Sequence, residues 1–125
     1  MKTFLLALLL VCNTAYAESK WLLIKRITSG SLIIERYIDL NSVPKVNKST
    51  TVYVYMKARY RNTNIDAWVF STREVDCGAM IARPLTSQKW ENGVWDKQTG
   101  PHDWFRIVIE DEEDHYLYNT LICKK

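Results

Sequence analysis

Thr50-Thr51-Val52-Tyr53-Val54-Tyr55-Met56-Lys57-Ala58-Arg59-Tyr60-Arg61 is the stretch that decides the fold. Successive side chains of a strand point to opposite faces. On that period Val52, Val54, Met56 and Ala58 share one side, and Tyr53, Tyr55, Lys57, Arg59 and Arg61 share the other. The run therefore reads as a strand with an apolar core face and an outer face of tyrosines and cations. The simpler account of that outer face is that tyrosines and long cations are good strand formers on a solvated surface. The functional account is a ribbon that holds a polyanion or an acidic protein patch by ion pairs and stacking.

Outward from this strand, the segments are short and rich in Val, Ile, Tyr and Trp, bounded by turn residues. Residues 21–27 and 32–39 read as a hairpin closed at Thr28-Ser29-Gly30-Ser31, and 40–46, with Pro44, as a bend. Strands are expected at 67–76 and 80–89 around a tight turn at Cys77-Gly78, and a short one at 105–109. The polar, Gly-containing stretch 91–103 reads as a loop. At the tail, an acidic run from Glu110 to Asp114 precedes Tyr116, Leu117, Thr120 and Leu121, which share one helical face. Acidic groups at a helix start, with Lys124 and Lys125 beyond its end, suit the macrodipole. The expected fold is α+β: a mainly antiparallel sheet with one short C-terminal helix packed on it and clamped by Cys123 to Cys77.

The first 17 residues have the form of a cleaved secretory signal: Lys2, an apolar run from Phe4 to Val11 too short to span a bilayer, and Ala15-Tyr16-Ala17 as the cut site. Residues 18–125 would then form a single exported domain. Cys12 belongs to the discarded signal, because lipid modification needs a small residue before the cysteine and Val11 stands there. Two cysteines remain, Cys77 and Cys123, and an even pair in an oxidising compartment is most simply one disulfide. No later stretch is apolar for long enough to cross a membrane.

Charge and motifs narrow the function classes. A net charge of +3 supplies no field strong enough to hold nucleic acid. The sign is uneven along the chain: nine Lys and Arg against three Asp and Glu in 18–65, but seven against eleven in 66–125, a pattern compatible with a bipolar domain, although halves of a sequence are not halves of a surface. Catalysis lacks a basis in the residues: only His102 and His115 are present, with no nucleophile elbow, phosphate loop or zinc-protease motif. Nothing calls for a cofactor or a metal. The run Glu110 to Asp114 lacks the spaced oxygens and central glycine of a calcium loop. Asn47-Lys48-Ser49 matches a glycosylation acceptor, which matters only in a host that glycosylates exported proteins. Five tryptophans are many for this length. Trp21 and Trp68 fall in strands; Trp90, Trp95 and Trp104 lie in or near the long loop, which is either a recognition surface or a lid folded over the sheet.

In order along the chain come Trp21-Leu22-Leu23-Ile24, Tyr37-Ile38-Asp39, Ser42-Val43, the strand 51–56, Ser71-Thr72-Arg73-Glu74-Val75-Asp76-Cys77, Arg83, Gly93, Trp104 and Leu121-Ile122-Cys123. This series, spanning the whole mature chain, resembles the surface-adhesin protein E-like family of Gram-negative bacteria. The resemblance implies an antiparallel sheet with a packed C-terminal helix, a Cys77–Cys123 disulfide, and binding to a host matrix or plasma protein. The founding adhesin is lipid-anchored, and Val11-Cys12 departs from that pattern. No binding residue carries over from the family.

The expectation is thus a non-catalytic exported binding protein, in the periplasm or on the cell surface of a Gram-negative bacterium, with a protein ligand. Candidate contact residues are Tyr53, Tyr55, Lys57, Arg59 and Arg61 on the ribbon and Trp90 and Trp95 in the loop. The rival is a periplasmic inhibitor of a cell-wall hydrolase, of the lysozyme-inhibitor kind, or an envelope accessory protein. An exposed edge strand, which any open sheet carries, would let two copies pair as a dimer.

Overall fold

The computed structural model describes residues 18–45 and 50–124. The expected signal segment, with Cys12, and the Asn47-Lys48-Ser49 acceptor lie outside them. Among the described residues, β1 (Trp21–Ser29), β2 (Leu32–Asp39), β3 (Thr51–Arg61), β4 (Asp66–Asp76), β5 (Ile81–Glu91), β6 (Val94–Trp95) and β7 (Phe105–Arg106) form one sheet. The first six lie side by side in sequence order, all pairings are antiparallel, and β7 also pairs with β5. The long strands do pair as neighbours in sequence, as short turn-linked segments tend to.

Residues 91–103 are not the loop expected. Asn92 (φ 48°) and Gly93 (φ 90°) close a two-residue hairpin, the conformation that Asn-Gly adopts without strain. The chain then runs back along the outer edge of β5, pairing Trp95 with Trp90, Thr99 with Ser87 and Phe105 with Ala82. Segment 94–106 is therefore an interrupted edge strand, not a lid. It passes the bulge at Leu85 so closely that a Cβ on Gly100 would sit 2.2 Å from the Leu85 carbonyl oxygen. That edge of the sheet is covered; β1 forms the other one.

The core lies on one face only. Val52, Val54 and Met56 of β3 pack with Ile38, Val75 and Ala82 from neighbouring strands and with Leu117, Tyr118 and Ile122 of the C-terminal helix. Asp111 caps that helix, its Oδ1 accepting from the Asp114 N–H at 3.0 Å. One α-helical turn, Glu112–Asp114, passes into a π-helix, His115–Ile122. The expected inward face of Tyr116, Leu117, Thr120 and Leu121 is accordingly rotated. Leu117, Tyr118 and Ile122 are buried, Leu121 is half-buried, and Tyr116 and Thr120 are exposed. The cause is the wider winding: the Cys123 N–H donates to the Tyr118 carbonyl, a five-residue closure that brings Tyr118 and Ile122 round to the sheet. Cys77 and Cys123 form the disulfide, with Cα atoms 5.6 Å apart and a separation of 46 in sequence, pinning the helix end beside β4. The fold class read from the sequence, α+β with a dominant antiparallel sheet and a docked C-terminal helix, is the one found.

Candidate functional site

The face of the sheet away from the helix carries a patch of aromatic side chains. Cross-strand partners share a face, so the pairing of Lys57 with Tyr37 on one side and Phe70 on the other, and of Trp68 with Arg59 and Trp90, places these residues together. Ring centroids run Tyr37–Trp68 6.1 Å, Trp68–Phe70 6.1 Å and Phe70–Trp95 5.6 Å, a continuous file across the sheet. Trp21, from β1, joins it through Lys57, whose ammonium lies 4.2 Å from the Trp21 ring centroid, 4.8 Å from Trp68 and 5.3 Å from Tyr37. An ammonium over three ring faces is held by their quadrupoles. Burial there pushes its pKa down, opposed by the nearby Asp39 carboxylate.

The remaining cations of the ribbon are held by carboxylates. Arg59 donates from Nε and Nη2 to both oxygens of Asp66, at 2.9 and 3.0 Å, with its guanidinium 5.1 Å from the Trp68 ring. Arg61 lies 3.4 Å from Glu35 Oε1, while Arg26 donates to Oε2 at 2.7 Å. Glu35, only 3% exposed, is held below the usual carboxylate range chiefly by the Arg26 hydrogen bond, against the opposing effect of burial. Tyr53 and Tyr55 are open to solvent, at 52% and 54% exposure.

Each candidate residue can now be placed. Tyr53, Tyr55, Lys57, Arg59 and Arg61 do share the outer face of β3, but the three cations are internally engaged and the two tyrosines are the accessible part. Trp90 and Trp95 sit on the same face: Trp90 is half-buried between Trp68 and Trp95, and Trp95 is 54% exposed against Phe70. The two surfaces expected separately, ribbon and tryptophan loop, are thus one. Between them a shallow depression of about 250 Å³ is lined by Trp21, Tyr55, Phe70, Thr72 and Gln88, among others. Sequence reasoning missed the roles of Trp21, Tyr37 and Phe70. Period-two parity within each strand was visible, but their convergence on Lys57 depends on register between strands.

Elsewhere the acidic cluster and the two histidines are tied into the fold. The carboxylates of Asp111, Glu113 and Asp114 lie within 4.8 Å of one another. Asp111 caps the helix, Glu113 accepts from Arg36 Nη1 at 2.9 Å, and Asp114 Oδ2 accepts from the Val108 N–H at 3.1 Å. His102 meets Thr99 Oγ1 at 3.2 Å and His115 meets Asn119 at 3.4 Å. Among the described residues no helix is long and apolar enough to cross a membrane. The disulfide is compatible with export to an oxidising compartment. No protein-family model, curated protein or solved structure matches the chain.

Proposed function

We propose that the protein is an exported, non-catalytic binding module that docks a protein ligand on the outer face of its sheet. The observation that carries this reading is the aromatic file Tyr37–Trp68–Phe70–Trp95, on the face opposite the helix and flanked by the exposed Tyr53 and Tyr55. Rigid aromatic rings that are already packed side by side offer large contact area with little entropy left to lose on binding. The arginines beside them are already oriented by carboxylates, leaving the rings and phenols as the groups that a ligand meets. The resemblance to the protein E-like adhesins makes a host matrix or plasma protein the expected ligand class.

The test has two parts. Protease shaving of intact cells, followed by mass spectrometry of the released peptides, reports display. Binding of the purified disulfide-bonded protein to immobilised matrix and plasma proteins, with and without Tyr53→Ser, Tyr55→Ser and Trp95→Ser together, reports the surface. Shaved peptides and a binding signal lost in the triple variant support the adhesin. Protection until the outer membrane is opened, with stoichiometric inhibition of a cell-wall hydrolase, would replace it with the inhibitor reading.

A further inference from the structure

The sheet holds a second concavity on its other side. The helix docks over the end of the apolar face formed by Val52, Val54 and Val75, and beyond its first turn a cleft of about 350 Å³ remains between helix and sheet. Ile24, Met56, Ala58, Val69, Phe105 and Leu117 supply apolar wall. Arg73 projects from β4 into this setting, on the core face opposite Val54. Its Nη1 donates to the Tyr118 hydroxyl oxygen at 2.6 Å and its guanidinium lies 5.6 Å from the Phe105 ring. Its Nε is buried with no hydrogen-bond partner.

Arg61 Nε is likewise buried without a partner, but its guanidinium meets Glu35. Arg26, Arg36, Arg59, Arg61 and Arg83 each meet a carboxylate, whereas Arg73, like the exposed Arg106 of β7, has no ion pair among the described residues. Of the two acids that line the cleft, Glu113 is ion-paired with Arg36, and Asp114 accepts from the uncharged Val108 N–H. A half-buried guanidinium without a counter-anion, one donor unmet, is an unfavourable arrangement that a bound anion would relieve. Tyr118 accepts from Arg73, so its own proton is free to be donated to that anion. The apolar wall requires that the rest of the ligand be hydrocarbon, and a volume near the lower end of small-molecule sites, roughly 300–1,000 Å³, keeps it short.

We propose that this cleft binds a single-chain amphiphilic anion of the medium-chain fatty-acid class, its carboxylate on Arg73 and Tyr118 and its acyl chain against Met56, Val69 and Leu117. The site is independent of the outer aromatic face, so either can fail alone. The test is calorimetric titration of the disulfide-bonded protein with decanoate, alongside decyl sulfate and decanol. Decanoate should bind, decyl sulfate should compete with it, and decanol should bind at least tenfold more weakly, because the ion pair and bidentate contact with Arg73 are lost. Arg73→Gln should weaken decanoate at least tenfold. Val69→Phe, which fills the cleft without touching the arginine, should abolish binding with the thermal transition retained, and it decides the matter where Arg73→Gln does not fold. Absence of decanoate binding to the unaltered protein, or equal binding of decanol, would overturn the proposal.

Discussion

Lys57 shows how one residue can read as a surface cation in sequence and act as a structural centre in the fold. Three rings from three different strands face its ammonium. Lys57→Ala should cost about 1–2 kcal/mol by urea denaturation, since each such contact is worth roughly 0.5–1 kcal/mol and the aliphatic stem is lost with them. Glu35 makes the complementary case with a carboxylate. Its folded pKa is depressed, first by the Arg26 hydrogen bond, so its contribution is fully present above the unfolded value of about 4.3. That contribution is lost as pH falls through the lower, folded value. Glu35→Gln should accordingly flatten the acid limb of stability between about pH 4.3 and the onset of acid unfolding, measured as melting temperature against pH. An unchanged slope would mean that Arg26 and Arg61 hold Glu35 no better than water does.

At the scale of elements, the C-terminal helix is the piece most dependent on its attachments. It is short, begins on the Asp111 cap, and is fixed to the sheet through Tyr118, Ile122 and Cys123. Asp111→Ala should cost about 1 kcal/mol, the usual loss when a capping acceptor is removed. The π winding gives a sharper test. Tyr116→Ala should cost less than about 1 kcal/mol, because its side chain is 40% exposed, whereas Ile122→Ala, at a fully buried side chain, should cost about 2–5 kcal/mol. The reverse order would restore an α-helical face. Replacing both Cys77 and Cys123 by Ser should cost about 4 kcal/mol from freed chain entropy in the unfolded state, a large share of the 5–15 kcal/mol typical of such a domain.

For the whole molecule, the basic and acidic halves of the sequence meet in ion pairs. Arg36 of the basic half meets Glu113 of the acidic one, and Arg59 meets Asp66 across the β3–β4 pair. The cations of the outer face are already neutralised by neighbours or rings, so ligand binding there should be only weakly salt-dependent. Raising salt from 50 to 500 mM should change its affinity by less than about threefold, since screening acts on exposed unpaired charges. A steep salt dependence would restore the cationic ribbon as the recognition element. The sheet itself divides the labour: the helix occupies one face, and aromatic side chains occupy the other.

The strand period of residues 50–61, the Val-, Ile- and Tyr-rich segments around them and the even cysteine pair were enough to set the antiparallel sheet, the docked tail and the Cys77–Cys123 link. These are local properties: side-chain parity is fixed by backbone geometry, and turns by residues such as Gly78 and the acidic start of the helix. Three features were decided only in three dimensions. Asn92-Gly93 turned an expected loop into an edge strand, because the free edge of β5 offered hydrogen-bond partners that sequence does not display. The helix wound wide, which turns Tyr118 and Ile122 onto the sheet, a docking that depends on the sheet being there. The aromatic file and the unpaired Arg73 depend on inter-strand register and on where the helix stops, relations between residues far apart in the chain that composition and spacing do not contain.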